Sequence, residues 1–117
     1  MDKNYKNILD KIPSGVFLLK DNQFTYFNKR LLDILGYNHN EFKQIDIIDI
    51  IHSKDKKWIK EKLSSRLTPD SEFSRELELV RKDNRYLWVL LNLNVLEVEP
   101  EALIIGTVYN ILFQKEK

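Results

Sequence analysis

The residues able to do chemistry are few, and their spacing gives them little to work with. The 117-residue chain has two histidines and no cysteine. That composition rules out disulfides, thiolate metal sites, cysteine nucleophiles and a cysteinyl bond to flavin. His39 sits in a polar turn between Asn38 and Asn40, and His52 precedes a lysine-rich run. Two carboxylate pairs stand out, Asp46 with Asp49 and Glu76 with Glu78, but neither has an acid–base partner in sequence context. Glu76 and Glu78 alternate with Leu77 and Leu79, which puts both acids on the outer face of a strand. Ser64-Ser65 lacks a nearby base, and three unclustered glycines make no phosphate-binding loop. The run SKDKKWIKEK interleaves Asp55 and Glu61 with its lysines, the pattern of a solvated helical face. A net charge of +1 gives no bulk field toward nucleic acid or anionic lipid. Neither catalysis nor nucleic-acid binding is expected.

The elements that must position these residues follow from periodicity. Tyr5, Ile8, Leu9 and Ile12 fall on one stripe of a helix that Pro13-Ser14-Gly15 ends. Val16–Lys20 and Gln23–Phe27 read as strands joined by the two-residue turn Asp21-Asn22. Asn28 is a good N-cap for a short helix carrying Leu31, Leu32 and Leu35, which Gly36 stops. One or two helical turns are predicted over 40–51, then a longer helix capped by Ser53 and running to about Leu67, with Ile59 and Leu63 on its inner face. Beyond residue 70 the period changes to two. Glu76–Leu79 alternates, Asp83-Asn84 is a tight turn, 85–98 is a long strand, and 102–111 is a last strand after Pro100. Short helices between a hairpin and a three-stranded meander place the chain in the α+β class. Hydrophobic residues at 43% and charged residues at 32% suit one soluble domain. The N-terminal MDKNYKNILDKI has no signal-peptide core and no apolar run reaches a membrane span, so a cytoplasmic location without direct membrane contact is expected.

Five stretches in order resemble the PAS sensor family: GVFLLKDNQFTYFN, LLDILGY with NEF, IIHSKD, RKDNRYLWVLL and IIGTVYNI. Each is degenerate alone; together they cover about 100 residues. The resemblance implies a five-stranded antiparallel sheet with short helices on one face and an N-terminal amphipathic helix on or near the other. It divides the chain into a helix over 1–13 that caps the sheet or contacts a second chain, a PAS core over 14–113, and the start of a linker over 114–117. That linker would lead to an output domain in the same full-length chain, with histidine kinases and cyclic-di-GMP enzymes as the usual hosts. Ser53 stands where the family usually has proline. Asn110-Ile111-Leu112 replaces the usual Asp-Ile-Thr, which removes the carboxylate and hydroxyl of the usual coupling to an output helix.

With strand parity fixed by this likeness, the cavity side collects Val16, Leu18 and Tyr26 from the hairpin. Leu77, Leu79, Val89, Leu91, Leu93, Ile104 and Val108 come from the meander, and Leu31, Leu35, Ile59 and Leu63 from the helices. Nearly all are hydrocarbon, with the Tyr26 hydroxyl as the one evident polar anchor. Three readings stay open: a collapsed core, a small or apolar ligand, and a flavin or haem. No cofactor is assigned. Flavin photochemistry of the LOV type would need an Asn-Cys pair, which is missing. Haem-binding relatives carry a proximal histidine on the long helix, whereas His52 lies just before it. Trp58 is the residue of interest for non-covalent flavin. The opposite parity collects Phe17, Leu19, Trp88, Leu90, Ile105 and Tyr109. A sheet that is apolar on both faces needs two covers. The Tyr5–Ile12 stripe is the candidate second cover, in a homodimer or folded back within one chain.

Overall fold

The computed structural model describes residues 3–111, with side chains from residue 7 onward. Helix α1 (Lys3–Asp10) leads into strands β1 (Gly15–Lys20) and β2 (Gln23–Phe27). Helices α2 (Lys29–Leu35) and α3 (His39–Phe42) follow, then two 3₁₀ turns at Ile47–Ile50 and Ser53–Asp55, and helix α4 (Lys56–Ser64). Strands β3 (Glu72–Val80), β4 (Tyr86–Glu97) and β5 (Leu103–Asn110) complete one sheet in the order β2-β1-β5-β4-β3, antiparallel throughout. The β1–β2 connection places Asp21 and Asn22 at φ of 55° and 66°, the left-handed pair that matches the twist of a two-residue hairpin.

A seven-residue helix such as α2 is marginal by itself, because its nucleus is costly. Its ends supply the missing stability. Fully buried Asn28 accepts the N–H groups of Leu31 and Val16 on Oδ1, each at 3.0 Å. Its Nδ2 donates to Leu9 O at 3.2 Å and Ser14 O at 2.9 Å. One carboxamide therefore caps α2, extends the β1–β2 ladder and holds the end of α1. At the other end Gly36 turns at φ 82°, donating to Leu32 O at 2.7 Å. Two groups from the β3–β4 turn take two further carbonyls: Lys82 N–H to Leu35 O at 2.9 Å, and Arg81 Nη1 to Ile34 O at 2.6 Å.

The entry to the long helix departs from the sequence expectation. Ser53 lies within a 3₁₀ turn, and the cap is the His52 ring, whose Nδ1 accepts Lys54 N–H at 3.0 Å. Helix α4 ends at Ser64 rather than near Leu67, where the Ser64 and Ser65 hydroxyls fold back onto the carbonyls of Lys60 and Lys62 at 2.7 Å each. Local serine bonding competes with further helix.

Asn28→Ala should cost about 3 kcal/mol or more, since it leaves several polar partners unpaired at a buried point. Urea unfolding should show a lower midpoint with little change in slope. Asn28→Asp keeps the acceptor but turns an anion toward two carbonyl oxygens. Its deficit should be larger at neutral pH and shrink in mild acid, where the protonated carboxyl can donate. A wild-type midpoint for the alanine variant would show that the carboxamide does not hold these segments.

Candidate functional site

The covered face of the sheet is the place to look for a cavity. Leu31, Leu35, Ile59, Leu77, Leu79, Val89, Leu91, Leu93, Ile104 and Val108 lie there and are buried, while Leu63 is half-buried. The first hairpin reads the other way round from its sequence assignment. Phe17 stands opposite Gly106 and Leu19 opposite Ile104, so both belong to the core. Val16, Leu18 and Tyr26 point to the outer face, paired with Thr107, Ile105 and Leu18 respectively. Both faces of β1 are apolar, so alternation could not choose between them. The room above Gly106 does. A Cβ at that glycine would lie 2.1 Å from Phe17 Cζ, so the ring occupies the space that any other residue at 106 would claim.

Phe17 begins a chain of rings. It meets Phe24 edge-on at 5.2 Å, Phe24 meets Phe42 at 4.7 Å, and Phe42 meets Phe27 at 4.9 Å and Tyr37 at 5.5 Å. Phe24 and Phe27 both face inward although three residues apart, because a bulge at Leu18/Leu19 leaves Thr25 without an opposite residue. That irregularity hid them from a period-two reading. Ile47, Ile50 and Ile51 complete the floor from the 3₁₀ turn. These rings and aliphatics are buried against one another between the sheet and the helices. An opening of about 100 Å³ remains where Leu19, Leu63, Leu67 and Ile104 meet Asp21, Asn22 and Glu101 at the hairpin end of the sheet.

Tyr26, expected as the polar anchor of a cavity, serves α1 on the outer face. Its hydroxyl donates to Asp10 Oδ1 at 2.9 Å. Burial first, then the bond to Asp10 and its negative charge, push the phenol well above its ordinary value of 10.0. Tyr37 is also raised, chiefly by burial and then by Asp49 and Glu41.

The outer faces of β4 and β5 carry Trp88, Leu90 and Ile105, all half-buried, with Tyr109 at 44% exposure. Tyr86 and Leu96 beside them are 57% and 49% exposed. Lys54 Nζ lies 4.9 Å above the Trp88 ring and 2.5 Å from Glu78 Oε1. Helix α1 stands at the β2 side through Asn28 and Tyr26, with Leu9 and Ile12 half-buried and Ile8 60% exposed. The Tyr5 side chain lies outside the described residues, as does the 114–117 linker. Ile111 is buried and its N–H bonds Trp88 O at 3.2 Å, while Leu112 of the altered closing motif is outside the described residues.

Of the histidines, His52 caps a turn and contacts Tyr86 edge-on at 4.4 Å; His39 lies 4.9 Å from Phe27. Arg75 spans Trp58 and buried Asp55, its guanidinium 5.2 Å over the indole and its Nε 3.3 Å from the carboxylate. Among the described residues no three His, Asp or Glu side chains are grouped to hold a metal, and no helix is long and apolar enough to cross a membrane.

A family model for the PAS domain matches residues 13–111. The chain belongs to the PAS domain family. Solved structures agree with it in fold. The PAS domain of an HTR-like protein from Haloarcula marismortui is 20% identical with a TM-score of 0.79, over 92% of this chain and 89% of that one. A domain of a sensory box sensor histidine kinase/response regulator from Geobacter sulfurreducens gives 19% and 0.76, over 92% and 91%. The PAS domain of a LuxR-family transcriptional regulator from Burkholderia thailandensis, in complex with ethanol, gives 18% and 0.77, over 95% and 98%. No curated protein matches the chain. PAS domains are sensory modules, and in this one Phe17, Phe24 and Phe42 are buried between the sheet and the helices.

Two variants test that geometry. Gly106→Ala should lower stability by about 1–3 kcal/mol, because it overpacks a fully buried ring. Adding Phe17→Leu should recover part of the loss, a coupling visible in a double-mutant cycle of denaturation midpoints. Tyr26→Phe should cost about 1 kcal/mol at neutral pH. It should also flatten the alkaline fall in stability. Wild type keeps Tyr26 protonated when folded, so its unfolded state ionises first as pH passes 10.0 and folding weakens above that point.

Proposed function

We propose that this PAS domain is the sensory and dimerising module of a larger signal-transduction protein, of the sensor histidine kinase or diguanylate cyclase type. We further propose that it responds to association with a partner chain rather than to a molecule held inside the sheet. The observation that carries this reading is the contrast between its two faces. The inner face is packed by Phe17, Phe24 and Phe42, whereas the outer face leaves Tyr86, Leu96 and Tyr109 largely open beside Trp88 and Leu90. Burying such a patch against a second copy releases roughly 25 cal/mol per Å² before ordering costs. The exposed Ile8 of α1 would extend the same contact. Histidine kinases among the solved structures of this fold support the choice of host. Because Ile111 N–H holds Trp88 O, a partner seated on Trp88 would act on the chain as it leaves β5. The shift it could cause is limited to its differential affinity for the two arrangements.

Sedimentation velocity should show a dimer for the chain. Leu90→Glu and Tyr109→Glu should give monomers whose melting temperatures stay close to that of the parent. A monomeric parent at high concentration would overturn the reading. A second reading is favoured by the opening beside Leu63 and Ile104: a very small molecule enters there, and the Burkholderia thailandensis PAS domain of the same fold was solved in complex with ethanol. Native mass spectrometry separates the two, giving bare-chain masses under the first and a retained adduct under the second.

A further inference from the structure

We propose that the chain carries a binding site for a small amphipathic anion outside the sheet–helix interior, at the β2 edge. A groove of about 750 Å³ runs there between the end of α1, β2 and the starts of α2 and α3. That volume falls within the roughly 300–1,000 Å³ of small-molecule sites. Its composition has the two parts such a site needs. The apolar part comes from Phe24, Phe27 and Leu32, with the two phenylalanines held in place by Phe42 behind them. The polar part is cationic. Lys29 of α2 and Lys43 at the end of α3 stand on its rim, exposed, and neither makes an ion pair among the described residues. Of the other cations, Lys20, Lys54, Arg75, Arg81, Lys82 and Arg85 each meet an acid, whereas Lys11, Arg30, Lys57, Lys60 and Arg66 meet none among the described residues, so it is their place on the rim of an apolar groove that sets Lys29 and Lys43 apart.

The one acid of the groove, Asp10, is engaged by the Tyr26 hydroxyl. His39 adds a flat ring against Phe27 and a ring N–H donor. A ligand with a short apolar body and one carboxylate or similar head matches this arrangement: its body covers Phe24, Phe27 and Leu32 while its head meets the two lysines. Phe24 and Phe27, 8% and 9% exposed, face mainly the interior and show a small part of each ring to the groove, so this site is separate from the sheet–helix interior. The site stands apart from the outer-face contact proposed above and does not depend on it.

Octanoate, octanol and octyltrimethylammonium, titrated into the ¹⁵N-labelled chain, share a body and differ in head charge. Octanoate should produce saturable amide shifts in 25–27 and 39–43, octanol weaker shifts at the same positions, and the cation none there. Lys29→Glu/Lys43→Glu changes two exposed residues and should preserve the remaining spectrum. It should weaken octanoate about tenfold, the size expected when two exposed attractions become repulsions, and should admit the cation. Equal affinity for octanoate and octyltrimethylammonium would overturn the proposal. So would octanoate shifts confined to Leu19, Leu63 and Ile104 or to Trp88 and Leu90, or no saturable shift.

Discussion

Asn28 has four hydrogen-bonding positions to satisfy away from water, and the chain satisfies them with groups from three separate segments. Leu9 and Ser14 offer carbonyls, and Val16 and Leu31 offer N–H groups. A buried carboxamide left unmatched would cost more than a matched one contributes, so these three segments and the end of β2 that carries Asn28 are fixed relative to one another as a set. The end of α1, the start of β1, the end of β2 and the start of α2 meet at this point. The placement of α1 at the β2 side, which leaves the outer faces of β4 and β5 partly open, follows from it.

A second constraint is steric. Gly106 sits between Phe17 and Leu93 in the middle of the sheet, and the missing side chain is what admits the Phe17 ring. From there the aromatic contacts run to Phe42 and lock α3 against β2. The interior of this member of a sensory family is lined by buried aromatic rings in contact with one another.

Charge plays a smaller part, at the margins of the helices. Asp55 with Arg75 ties the start of α4 to β3, and Glu41 with Lys82 ties α3 to the β3–β4 turn. Glu41 lies below its ordinary value because the Asn38 backbone N–H and then Lys82 favour its anion. The Glu41–Lys82 pair is screened by solvent, whereas Asp55 is buried beneath Arg75. They orient short elements whose stability comes from the buried aliphatic and aromatic surface beneath.

Sequence alone determined the order of the elements and the family, though not where the long helix α4 begins and ends. Local patterns, such as Asn28 before a leucine stripe, Gly36 after it, Asp21-Asn22 between strands and the alternation after residue 75, act over a few residues and need no distant partner. The inward set of β3, β4 and β5 was also legible, once likeness to relatives had fixed its phase. The first hairpin was not, because Val16, Phe17, Leu18 and Leu19 are all apolar and alternation carries no information when both faces are greasy. Which of them lies inside was decided only in the tertiary structure, by the glycine that lies opposite Phe17 across β1 and β5. The bulge beside Leu18, the role of Tyr26 as a partner of Asp10 and the groove at the β2 edge are of the same kind. Each depends on groups far apart in sequence meeting in space, and only the packed fold brings them together.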